Sequence, residues 1–83
     1  MKPFVVIRWM DSQDHPTTWV DESDAEKFGE ESCEVTSVGF LVRKTDKYYT
    51  LAGDWDPVDT NYGRVTKIPV SMAIEVTELK WPT

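Results

Sequence analysis

Between Phe4 and Met10, β-branched and aromatic residues alternate, with Val5, Ile7 and Trp9 on one side of an extended chain and Phe4, Val6 and Arg8 on the other. Period two with β-branching is strand chemistry, because such side chains pack well on a pleated surface. The run stops at DSQDHPTT, Asp11 to Thr18, a set of turn formers in which Pro16 holds His15 extended. SDAE, Ser23 to Glu26, has the spacing of a capping box, where a hydroxyl and a carboxylate reciprocally satisfy backbone amides, and Gly29 can end the segment. The pattern predicts one short helix over about Asp24 to Phe28, too short to persist unless Trp19, Val20 or Phe28 packs on a sheet.

From Cys33 onward the alternation returns. A strand over Glu34 to Arg43 places Val38, Phe40 and Val42 on one face and Val35, Gly39 and Leu41 on the other. The turn KTDK joins it to a second strand, Tyr48 to Gly53. Gly39 lies inside its strand, which marks a bend or another backbone passing close. DWDPVDTNYG, Asp54 to Gly63, reads as the longest polar loop, followed by a strand in RVTKIP, a turn at Pro69 in VSMA, and a last alternating strand from Ile74 to Leu79. The tail KWPT reads as loose, with Trp81 as its anchor.

About five strands with hydrophobic residues on both faces, plus one short N-terminal helical segment, predict a small, strongly bent antiparallel barrel. Four strands packed on one helix is the competing architecture. At 83 residues the chain is one domain, since so short a chain cannot bury a second core.

Charge then narrows the partners. Nine Lys and Arg against fifteen Asp and Glu leave a net charge of −6, which disfavours duplex DNA, whose binding is driven by cations neutralising phosphates. Local basic spots remain: Arg43, Lys44 and Lys47 in the central turn, and Arg64 with Lys67 further on. Cys33 is the only cysteine, consistent with a reducing cytoplasm and a buried structural thiol. The first apolar run is only four residues before Arg8, too short for a membrane span or a signal-peptide core.

Two resemblances follow from particular stretches. VGFLVRKTDKYYTL followed by GRVTKIPVSMAIEVTEL resembles the paired motifs of Sm-like small barrels, related in shape to Src-homology-3-like (SH3-like) ones. The RNA-binding residues of that family are not matched: Tyr49 and Thr50 stand where an Asn is expected, and Lys67-Ile68-Pro69 where an Arg-Gly pair is expected. Through VIRWMDS, TTW, CEVTSVGFLV, YYTLAGDWD and TKIPVSMAIEVTEL, nearly the whole chain resembles a group of small proteins encoded by bacterial viruses and prophages. That resemblance implies a phage accessory protein in the bacterial cytoplasm and brings no catalytic residues with it.

Candidate chemistry is thin. Asp11, Asp14 and His15 offer a metal three ligands from one loop with no second His or Cys nearby, and a solvated turn explains them. In DWDPVDTN the calcium-loop spacing fails, because Val58 and Asp59 occupy the places of an oxygen ligand and a glycine. No carboxylate pair, phosphate loop or nucleophile arrangement emerges, so the expectation is no enzyme and no cofactor.

Aromatics are the stronger signal. Of ten, the set Trp9, Trp19, Tyr48, Tyr49, Trp55, Tyr62 and Trp81 exceeds the needs of so small a core, and Trp55 and Tyr62 fall in the polar loop. Either they are contact residues or Trp55 folds back over an open barrel end. The expected function is binding of a host protein or self-assembly through strand edges, with Trp55 and Tyr62 as aromatic contacts and Arg64 and Arg43 as charge partners. Sequestration of a small nucleotide-like ligand between subunits, and single-stranded nucleic-acid binding, are the alternatives.

Overall fold

A computed structural model describes residues 2–80 of the chain. Five antiparallel strands, β1 (Phe4–Met10), β2 (Glu34–Lys44), β3 (Tyr48–Asp56), β4 (Asn61–Pro69) and β5 (Ala73–Leu79), form one sheet in the order β4-β3-β2-β1-β5. One helix, α1 (Glu22–Glu30), interrupts the path from β1 to β2. The expected mostly β fold with five strands and a single helical segment is therefore present. The expected closure is not: β4 and β5 stand at opposite edges, and the sheet stays open.

The reason lies in how the strands share β2. Its first half pairs with β1, from Met10↔Glu34 to Phe4↔Phe40, whereas β3 pairs only with its second half, from Phe40↔Ala52 to Lys44↔Tyr49. A bulge between Leu41 and Arg43 bends β2 further. Two ladders thus diverge from the middle of one strand, and the outer strands never meet. Gly39 sits at the divergence, where an added Cβ would lie 2.7 Å from the Ala52 carbonyl oxygen. The close backbone approach predicted there is real.

Val5, Ile7, Leu51 and Ile68 are the buried centre, with Trp9, Leu41, Tyr49 and Ala73 packed against it. The face predicted for β1 from Val5, Ile7 and Trp9 is the core face, and Trp9 donates its indole N–H to Ser37 Oγ at 2.9 Å. On the opposite face Phe4 and Phe40 meet edge to face at 5.2 Å, but Val38 is 51% exposed and Val65 55%. A radius of gyration of 16.6 Å, against roughly 12 Å for a compact chain of this length, reflects the open architecture.

Turn chemistry explains the connections. Thr45 Oγ1 accepts the amides of Lys47 and Tyr48 at 3.2 and 3.0 Å, closing the β2–β3 turn. Asp56 Oδ1 accepts the Val58 amide at 3.0 Å, starting the β3–β4 turn at Asp56-Pro57. A one-turn 3-10 helix, Val70–Met72, follows Pro69, and the Val70 amide donates to the Lys47 carbonyl at 2.8 Å. This ties the start of β5's approach to the β2–β3 turn.

The helix differs in detail from the expected one. Asp21, not Ser23, is the N-cap, its Oδ1 accepting the Asp24 amide at 2.8 Å. Gly29 lies within α1 and does not stop it. Glu22 and Asp24 in the first turn and Lys27 in the last suit the helix dipole. No residue of α1 is buried; Phe28 alone is half-buried, its ring 5.0 Å from that of His15. Trp19 and Val20, expected to help dock the helix, are exposed. The last expected anchor, Trp81, lies outside the described residues.

Candidate functional site

The far end of the β3–β4 hairpin holds three of the four residues singled out from the sequence. What reads as a ten-residue loop is mostly strand, because the ladder continues through Asp54↔Gly63, Trp55↔Tyr62 and Asp56↔Asn61. Only residues 57–60 form the turn, with Thr60 at φ 58°. Trp55 and Tyr62 are therefore cross-strand partners, both half-buried, and not loop residues. Trp55 folds back onto the sheet, its ring meeting that of Phe40 edge to face with centroids 5.8 Å apart. A continuous aromatic row runs Phe4, Phe40, Trp55 across β1, β2 and β3.

Arg64 lies beside this pair in an unusual backbone state, with φ at 51° in the left-handed region. For a residue with a Cβ that conformation costs about 1–2 kcal/mol. The conformation goes with a clasp: Arg64 Nε and Nη2 donate to Asp54 Oδ2 and Oδ1 at 2.9 and 3.3 Å. Gly53 makes room for it, since a Cβ there would fall 2.8 Å from Arg64 Nη2. The hydrogen bond from Arg64, aided by its charge, holds the Asp54 carboxyl below the ordinary carboxylate range, and Asp54 correspondingly raises Arg64. Both groups are solvent-exposed, so the clasp orients more than it stabilises.

A cleft of about 240 Å³ opens next to the clasp, where β2 and β3 part. Ser37 and Val38 of β2, Gly53 of β3, and Arg64 and Thr66 of β4 line it. It is smaller than the roughly 300–1,000 Å³ of most small-molecule sites.

Arg43 is not part of this site. It pairs with Thr50, whose other neighbour is Lys67, at the opposite end of the hairpin. There Lys67 sits over the Tyr48 ring at 4.5 Å and Lys44 over Tyr49 at 5.5 Å. The fold separates the two arginines that the sequence grouped, and gathers Arg43, Lys44, Lys47 and Lys67 into a basic corner instead. The clue was available in the spacing of the first three about one turn. Pairing with Lys67 required the β3–β4 register.

The remaining candidates have local structural roles. His15 Nδ1 accepts the Thr17 amide at 3.1 Å while its ring supports Phe28. Cys33 is half-buried, where a buried thiol was expected, and its carbonyl accepts the Asp11 amide at 2.9 Å. Arg8 is raised by its hydrogen bond and charge interaction with Glu34 at 2.7 Å, with Glu75 at 3.8 Å adding to it. Among the described residues no group of three or more His, Cys, Asp or Glu is placed to hold a metal ion, and no helix is long and apolar enough to cross a membrane. Neither a protein-family model, nor a curated protein, nor a solved structure matches this chain.

Proposed function

We propose that this chain is a non-catalytic binding module that receives a strand of a partner protein along the free edge of β5. The observation that carries this reading is the state of β5. Among the described residues it pairs with β1 on one side only, contains no buried residue, and leaves Ile74, Val76 and Leu79 exposed. Val76 stands opposite Ile7, which is fully buried, so a strand added beyond β5 would extend the core face already begun. Free edges of soluble proteins are ordinarily blunted or covered, because unpaired N–H and C=O groups template further pairing. Here the edge combines those groups with apolar side chains, which is the chemistry of strand addition.

The wider setting is part of the same proposal. Five short antiparallel strands, a bent β2 and a last strand returning beside the first support a sheet of Sm-like or SH3-like type that stops short of closure. A viral accessory protein acting on a host protein in the bacterial cytoplasm fits a small module whose core is finished by another chain. Self-assembly through the same edge is the homomeric form of the reading.

Ile74→Lys combined with Leu79→Lys tests it, because neither side chain is buried. Capture of partner protein from bacterial lysate, and any dimer mass in sedimentation, should be lost while the melting temperature stays within a few degrees. Equal capture and equal mass for variant and wild type would assign binding to another surface.

A further inference from the structure

Charge is distributed very unevenly over this fold. Residues 11–32, the excursion between β1 and β2, hold eight acidic residues against Lys27 alone, a net charge of −7. The rest of the chain, with eight bases and seven acids, is +1. The three ion pairs among the described residues are Arg8 with Glu34 and Glu75, and Arg64 with Asp54. None of them uses an acid of the excursion or a base of the corner formed by Arg43, Lys44, Lys47 and Lys67. Asp46 lies in the corner's own turn and leaves it at +3, so two clusters of opposite net charge, with no ion pair between them among the described residues, coexist in one small molecule.

They also sit at opposite ends of it. β2 leaves the excursion at Glu34 and reaches the corner at Lys44, ten steps that span at most about 33 Å at roughly 3.3 Å each, less the bend at its bulge. The molecule measures 54 × 25 × 23 Å, so the clusters lie too far apart for this copy's excursion to neutralise its own corner as folded. Each end carries apolar surface as well. Trp19 in the excursion is 90% exposed, and at the corner Val65 and Tyr48 stand exposed beside Lys67. A Trp ring flanked by acids and a Tyr–Val surface flanked by bases are complementary in both charge and polarity.

We infer that the acidic excursion of one copy docks on the basic corner of another, giving head-to-tail association distinct from pairing at β5. The occupant of the corner is residues 11–32 of a second copy, with Trp19 seated against Tyr48 and Val65 and the α1 carboxylates facing Arg43 and Lys67. Such a contact is heterologous: each copy uses one end and leaves the other free, so it propagates into a chain or closes into a ring. It needs no rearrangement of the sheet, because α1 is not packed into it.

The test is sedimentation velocity of the purified full chain over a concentration series at about 0.01 M and about 1 M salt, where the screening lengths are about 30 and 3 Å. The wild type should gain mass with concentration at low salt and lose that gain at high salt; strand pairing at β5 would survive both. Glu26→Lys, Glu30→Lys and Glu31→Lys together should remove the salt-sensitive gain, as should Arg43→Glu with Lys67→Glu. Each variant should keep its melting temperature, since none of these side chains is buried. Mixing the two variants should restore association as far as dimers, because the unchanged acidic excursion of the corner variant meets the unchanged basic corner of the excursion variant. A wild type of constant mass at low salt, reversed variants that associate like wild type, or a mixture that stays apart would each overturn the proposal. So would a single-stranded oligonucleotide binding at the corner of a protein that remains monomeric, which would assign that surface to a polyanion.

Discussion

The sheet and the excursion between β1 and β2 are built on different physics. In the sheet, Ile7 and Ile68 are fully buried and the register is set by which side chains reach the core. In residues 11–32 nothing is buried, and order comes from short-range hydrogen bonds: the Asp21 cap, the His15–Thr17 turn and one ring contact. The sheet is therefore sensitive to volume and the excursion to charge and capping. A substitution that is severe in one should be nearly silent in the other.

Ile7→Ala should produce the largest effect, about 2–5 kcal/mol of lost stability by denaturant unfolding, from lost burial and the cavity left behind. Gly39→Ala comes next, at roughly 1–3 kcal/mol, since its Cβ would press on the Ala52 carbonyl and backbone cannot yield as a flexible side chain does. Trp55→Ala with Tyr62→Ala should cost about 1–2 kcal/mol, the scale of aromatic pairing. An unchanged melting temperature for that double variant would show that the aromatic row does not hold the hairpin to β2.

Asp21→Ala separates the two regions most directly. Losing the cap should weaken α1 by about 0.5–2 kcal/mol and lower helicity by circular dichroism, yet leave the cooperative unfolding midpoint unchanged. If the midpoint falls as well, the excursion is coupled to the sheet more tightly than its exposure implies. The smallest effect belongs to Asp54. Its pKa is depressed in the folded chain, so its contribution to stability is present above the unfolded carboxylate value near 3.8 and fades as pH falls through the lower folded value. Carboxyl NMR titration should place Asp54 below that value and return it there in Arg64→Ala.

Much of the sheet was readable because local pattern and final environment agree. Val5, Ile7 and Trp9 share a face by alternation, and that face is the core. Gly39 was conspicuous because a glycine in a strand has few reasons to be there. The β3–β4 hairpin was less readable: Asp54, Asp56, Asn61 and Gly63 look like loop residues, and only cross-strand pairing makes them strand. The choice between Asp21 and Ser23 as cap was equally hidden, since both are good caps two residues apart and no residue of α1 is buried to select a frame.

The candidate site divides the same way. Trp55, Tyr62 and Arg64 were drawn together by proximity in the chain, and pairing across a tight hairpin keeps them together. Arg43 was grouped with Arg64 on charge alone, and a register that opposes Thr50 to both Arg43 and Lys67 moves it to the other end.

What the sequence by itself determined is the list of strands, the grouping of Val5, Ile7 and Trp9 on one face of β1 and the gathering of acidic residues between Asp11 and Glu31, because alternation, turn chemistry and charge are properties of neighbours along the chain. What only the tertiary structure decided is that the sheet stays open, that β5 keeps a bare apolar edge, and that the acidic excursion and basic corner lie at opposite ends. Those outcomes depend on how far β1 and β3 each follow β2 and on the close approach of Ala52 to Gly39 that a missing side chain allows, relations set by strand register and not by neighbours along the chain.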